Sequence, residues 1–395
     1  MLGMGTSLFT VSGRNATVAK KCGVTFSETK GTAFYRLRTE HDQVSNMISL
    51  MKHGCPPQAI VATYGYDART VYDWYGRGGE HCQQVHEAIV EKGRVDVQQV
   101  QADELCIRTA RLREDEIQGK LRIAQREEQT MQLQAGALPT VLQEVGEPVE
   151  FKGGEQSSPD ALSATEADQM WMAMAMDVGT RLWLGGVVGV HRNKELILSL
   201  AQKVRTCAKH WNFLLSVDGL STYITAFMTV FSWLIFTGKG GRPKRETVPG
   251  LMIVQVIKEY SKGRVTNAVR RIVRGTTEAV AFVLEKTGCT KINTSFIERL
   301  NATFRGRLAI LVRRGRAIAH TDSCLLEQGM YLTGCTYNFC YFHDSLRVVA
   351  PVGGSRKWVE RTPAMAAGLT DHRWTMKELL GYKVVTKPKT KIVHG

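Results

Sequence analysis

The sequence predicts an α/β protein built on a mixed sheet flanked by helices, with an all-helical helix-turn-helix unit ahead of it. Three observations point there. Residues 41–91 carry helical apolar spacing that glycine interrupts twice. From Val95 the apolar period shortens from about 3.6 to about 2. Beyond that point the pattern runs strand, hairpin, helix, strand, helix, which is an α/β order.

In the helical unit, Val44, Met47, Ile48 and Met51 mark a first helix that stops at Gly54. Pro56-Pro57 opens a short second helix carrying Ala59, Ile60, Val61 and Tyr64. Gly65 breaks it, and Asp67 is placed to cap a third, Ala68 to Tyr75. Two short helices across a tight glycine turn describe a helix-turn-helix. Its second helix presents Arg69, Thr70 and Asp73 as candidate contacts to a major groove. The same pattern also describes a helical bundle with no DNA role.

The sheet begins with Val95, Val97 and Gln99 alternating into Val100-Gln-Ala-Asp103, a strand that ends in an acid. Trp171 to Val190 reads as two strands around a turn at Asp177-Val-Gly-Thr180. Lys194 to Cys207 has helical spacing through Leu196, Leu200 and Val204, and Phe213 to Asp218 is a short buried strand. Arg108 to Gln169 reads as an insertion: its first half is charged and helix-favouring, its second half suits a flexible linker. Gly219 to Gly238 carries no charged residue. Ser221, Thr222, Thr225, Thr229, Ser232 and Thr237 make it a buried core helix rather than a membrane span. The division that follows is an N-terminal segment (1–40), a helix-turn-helix domain (41–94), a catalytic domain (95–350, with the 108–169 insertion) and a C-terminal tail (351–395).

Composition narrows the partners. Of 395 residues, 52 are Lys or Arg against 37 Asp or Glu, a net charge of +15 that favours nucleic acid or another polyanion. Nine scattered cysteines with no C-x-x-C argue against a disulfide framework and for a reducing cytosol. The opening residues lack a basic flank before a long apolar run, so no signal peptide is expected. His81 and Cys82 to His86 offer zinc ligands without a matching pair and read as exposed helix residues. Lys239 to Arg245 reads equally as a minor-groove contact and as a solvated basic loop.

Three acids stand out by position. Asp103 and Asp218 each end an apolar strand, where side chains emerge at a sheet's rim. Glu298 lies near the start of a helix whose apolar stripe is Ile297, Leu300, Phe304, Leu308 and Leu311. Glu298, Asn301 and Arg305 form a polar line on its other side. Carboxylates drawn from two strands and a helix can bridge two Mg²⁺ about 3.5–4 Å apart for in-line phosphoryl transfer. Arg305 would bind the substrate backbone, and Arg313, Arg314 and Arg316 extend that face as phosphate contacts. Each acid has a plainer reading: Asp103 as a strand's exit, Asp218 as the start of a turn, and Glu298 as the reciprocal cap of the box Ser295-Phe-Ile-Glu298.

Val100-Gln-Ala-Asp-Glu-Leu105, Leu214 to Tyr223 and Ile292 to Arg307 resemble the three acidic blocks of bacterial insertion-sequence DDE transposases. His53 to Ile60, Ala175 to Arg181, Tyr337 to Cys340 and Arg361 to Gly368 resemble accessory stretches of that family, so the likeness covers most of residues 20–380 outside the insertion. It is most specific in the third block, where Glu298 is followed seven residues later by the basic Arg305. The resemblance implies an RNase H-like catalytic fold, double-stranded DNA at terminal repeats and target as substrate, and Mg²⁺ or Mn²⁺ as cofactor. Asp103 and Asp218 would share one ion and Glu298 would complete a second. It further implies a homodimer or higher oligomer working at a prokaryotic nucleoid in the cytoplasm, away from membranes. Of the family's paired N-terminal cysteines only Cys22 is present, so zinc is not expected. Two alternatives stand beside this: a transposase-derived DNA binder without catalysis, and an RNase H-fold nuclease that does not join strands.

Overall fold

The computed structural model describes residues 16–18, 25–108, 169–236, 243–261, 264–308, 311, 323–350 and 357–384. After a two-stranded antiparallel pair, β1 (Ala16–Val18) with β2 (Thr25–Ser27), come three helices: α1 (His41–Lys52), α2 (Pro57–Tyr64) and α3 (Ala68–Ile89). The expected punctuation is present. Gly65 takes a left-handed φ of 69° to end α2, and the Asp67 carboxylate accepts the Arg69 and Thr70 amides to start α3.

α3 does not stop at Tyr75. It runs 22 residues to Ile89, because Val71, Trp74, Cys82 and Val85 keep one buried stripe across the glycines at 76, 78 and 79. That stripe packs on a late helix, α8 (Ser323–Cys340), and Gly79 is what lets the two backbones close. A Cβ at position 79 would lie 2.6 Å from the Gln328 Cα. The buried core is continuous from Ala33 to Leu380, so the early helices share it with the sheet. Trp183 sits at the junction, its ring 4.7 Å from His86 of α3 and 5.6 Å from Tyr331 of α8.

The main sheet has six strands in the order β10-β9-β6-β3-β4-β5. β3 (Gln99–Arg108), β4 (Gln169–Asp177) and β5 (Trp183–Gly189) form an antiparallel meander, with Asp177 accepting the Thr180 amide and hydroxyl at the expected turn. The chain returns through α4 (Lys194–Cys207), whose bounds match its apolar spacing, to β6 (Leu214–Val217), parallel to β3. β9 (Met252–Ser261) is parallel to β6, and β10 (Arg264–Arg274) pairs antiparallel at the edge. The uncharged 219–238 stretch is not one helix. It gives α5 (Ser221–Val230), buried through Tyr223, Ala226 and Phe227, and then β7 (Ser232–Ile235) of an antiparallel pair with β8 (Lys244–Thr247). Among the described residues no helix is long and apolar enough to cross a membrane.

His81 and His86 are buried, not exposed: they belong to the stripe of α3 that faces the core. Burial holds both rings neutral, pushing His81 down to about 4 and His86 down to about 3. After β10 come α6 (Thr277–Lys286) and α7 (Ser295–Arg307), the helix that carries Glu298. Between Asp218 and Glu298 the chain thus forms α5, the β7–β8 pair, β9, β10 and α6.

Gly79→Ala is expected to cost about 1–3 kcal/mol by forcing α3 and α8 apart. Urea unfolding measures this; an unchanged midpoint would show that the helices close without the glycine.

Candidate functional site

The site starts from strand register. β6 pairs in parallel with β3 through Gln99↔Leu214, Val100↔Leu215 and Gln101↔Ser216. The ladder stops there, and the same register carried two residues further sets Asp103 opposite Asp218. Asp103 therefore lies in the middle of β3, not at its end. The strand runs on to Arg108 because β4 continues to pair with it on the other side. The side toward β6 is open beyond Gln101, and there the two acids meet.

Helix α7 is fastened over this opening by the strand itself. The buried Gln101 side chain accepts the Phe296 and Ile297 amides through Oε1, both at 3.0 Å, and donates through Nε2 to the Asn293 carbonyl at 2.8 Å. It thus supplies the cap that the helix lacks: the local N-cap, Thr294, makes no side-chain capping bond. One and a half turns in, Asn301 donates to the Asp103 carboxylate at 2.8 Å.

The expected box at Ser295 does not form. Ser295 is already inside the helix and its hydroxyl donates to Asn293 instead, so Glu298 lies one residue too far along to close a box. Its carboxylate pairs with Lys258 of β9 and accepts the Thr294 hydroxyl at 2.7 Å.

Asp103, Asp218, Glu298, Asn301 and Arg305 line one cavity of about 520 Å³. Of the four acids here, the tightest group is not the one the sequence singles out. Asp103, Glu104 and Asp218 each offer an oxygen within 4.8 Å of the others, and Glu298 stands outside that group. Glu104 points to the opposite side of β3, where it accepts the Tyr223 hydroxyl at 2.7 Å and pairs with Arg192. Arg192 also reaches Asp218 at 3.4 Å. Strand alternation placed Glu104 away from Asp103; only the termination of β6 lets Asp218 approach both faces. Asp218 starts a turn as well, since its Oδ1 accepts the Leu220 amide at 2.9 Å.

Crowded acids repel protons' departure. Burial, then the neighbouring Glu104, pushes the Asp103 carboxyl up to about 7, with Asp218 and Glu298 adding to the rise. Burial also raises Glu104, against the Tyr223 and Arg192 hydrogen bonds that lower it. The donor set is oxygen alone, which suits a hard divalent cation such as Mg²⁺ or Mn²⁺. The Asn301 Oδ1 at the cavity's edge is buried without a hydrogen-bond partner among the described residues, a further oxygen left for a cation or its water.

The remaining expected contacts lie elsewhere. Arg69 and Asp73 are exposed and Thr70 half-buried at the start of α3, and none of them lines the acidic cavity. Asp73 is held by Arg77 at 2.7 Å. Arg313, Arg314 and Arg316 lie outside the described residues. No protein-family model matches the chain, and comparison with curated proteins finds no similar sequence.

The raised Asp103 value has a definite sign. Its folded pKa of about 7 lies above the ordinary 3.8, so folding disfavours the ionised form. Stability of the metal-free protein should therefore fall as pH rises from about 4 to about 7 and then level off. Asp103→Asn should lack that loss. Thermal melts of both proteins across the window check this; parallel curves would sink it.

Proposed function

We propose that this chain is a DDE-type transposase that binds terminal inverted repeats and carries out metal-dependent DNA cleavage and strand transfer. The observation that carries the reading is the cavity in which acids from two adjacent parallel strands meet a helix bearing Glu298, Asn301 and Arg305. An antiparallel meander feeding parallel strands supports an RNase H-like core. The glycine turn between α2 and α3, with Asp67 as cap, supports a helix-turn-helix for repeat recognition. The net charge of +15 supports a DNA partner, with two protomers acting on two element ends.

On this reading each residue has a task. Asp103, Asp218 and Glu104 supply the carboxylate oxygens that would hold a divalent cation, and Glu298 supplies a fourth carboxylate across the cavity. When bound, such a cation would activate water or a 3′-hydroxyl and stabilise the leaving oxygen. Asn301 orients Asp103 by its hydrogen bond, and Arg305 offers a guanidinium to the scissile strand's phosphate. Arg192 pairs with Glu104 and Asp218, and Lys258 with Glu298, so both basic side chains offset the acids' charge.

One observation favours a DNA binder without catalysis: Lys258 already pairs with Glu298. Strand cleavage and joining on a labelled element end in Mg²⁺ separates the two. The native chain should cut and join, and Glu298→Gln should lose at least about 100-fold in rate while folding normally, since Gln keeps an acceptor for the Thr294 hydroxyl. Equal behaviour of the two proteins would hand the case to the binder.

A further inference from the structure

We propose that a second cavity, on the other side of α7, is a binding site for one unpaired nucleotide, its phosphate held by arginines and its base stacked on aromatic rings. The cavity measures about 210 Å³ and is lined by Arg181, Arg299 and Arg307 together with Tyr337, Tyr341 and Phe342. No carboxylate lines it among the described residues. On α7, Arg299, Thr303 and Arg307 follow one another at intervals of four and share a stripe. The stripe of Glu298, Asn301 and Arg305 faces the acidic cavity. The helix is thus a wall between a site rich in carboxylates and one rich in guanidiniums.

Three features of the pocket point to a ligand. The Arg307 guanidinium lies 4.0 Å over the Tyr341 ring, and Arg181 lies 3.9 Å over Phe296, so both present flat cationic faces beside aromatic ones. The Arg307 Nη1 is buried with no hydrogen-bond partner among the described residues, a donor held ready for an acceptor. Arg181 keeps its place at a left-handed φ of 59°, a conformation costly for a side chain of that size.

Guanidiniums in this setting bind phosphate through paired N–H groups, and aromatic or guanidinium planes take an unstacked base. A phosphate alone would leave the rings unused, and an acidic peptide side chain would too. The volume, about 210 Å³, excludes a duplex and seats at most part of one nucleotide, the remainder lying at the open mouth. That the nucleotide comes from a DNA strand whose neighbouring phosphate occupies the acidic cavity rests on the function proposed above; the pocket's chemistry does not.

Calorimetric titration of the full chain in EDTA, with dAMP and inorganic phosphate as probes, tests the site without any cleavage. dAMP should bind at least about tenfold more tightly than phosphate, the margin that base stacking supplies. Arg299→Gln, at an exposed helix position, should weaken dAMP by about tenfold, and Thr303→Glu should abolish binding by placing a carboxylate in the pocket. Equal affinities for dAMP and phosphate, no dAMP binding, or binding that survives both substitutions would each overturn the proposal. Should strand transfer fail while dAMP binding follows Arg299, the pocket stands and the transposase reading falls.

Discussion

A single buried amide holds the acidic site together. Gln101 sits on β3 two residues before Asp103 and caps α7 three residues before Glu298. One side chain therefore sets the distance between the strand's acid and the helix's acid. The bond from Asn301 to Asp103 repeats the fastening one turn and a half further on. Both links join residues nearly 200 positions apart in sequence, yet each is a short, direct hydrogen bond in an interior where unpaired groups cost about 1–3 kcal/mol apiece. Rigidity of this kind is what a site needs when its groups must stay in place against mutual repulsion.

The same constraint explains what sequence reasoning could and could not see. Elements closed by local chemistry were legible: Asp67 capping α3, Gly65 ending α2, and the stripe of Leu196, Leu200 and Val204 that bounds α4. Elements decided by distant partners were not. α3 outlasts its glycines because α8 needs them for close approach, and the 219–238 stretch divides at Phe231 into a helix and a strand. Asp103, Asp218 and Glu298 were identifiable as a set, and they do line one cavity. Glu104 was not singled out beside them. Nothing in a strand's alternation reports that its parallel neighbour ends early and lets one carboxylate reach both faces.

Charge is distributed around the site as a competition. Arg192 divides itself between Glu104 and Asp218, and Lys258 holds Glu298, while burial and the neighbouring acids push the Asp103 carboxyl upward. The arrangement brings the titration of Asp103 into the neutral range, with the other acids paired to basic side chains. A divalent cation held by these carboxylates would compete for them with Arg192 and Lys258.

α7 converts this local competition into direction. The acidic cavity on one side of the helix and its arginine stripe on the other are fixed to one another, so a polyanion lying across it would meet repulsion from Asp103, Asp218 and Glu298 on one side and attraction on the other. Neutralising the acids with a cation removes the repulsion without touching the arginines. Binding of a nucleic-acid strand over α7 and binding of metal beneath it would then favour each other through charge alone, with no movement of the backbone. Because Gln101 pins the helix to β3, that coupling is built into the sheet and not into a loop that must first find its place.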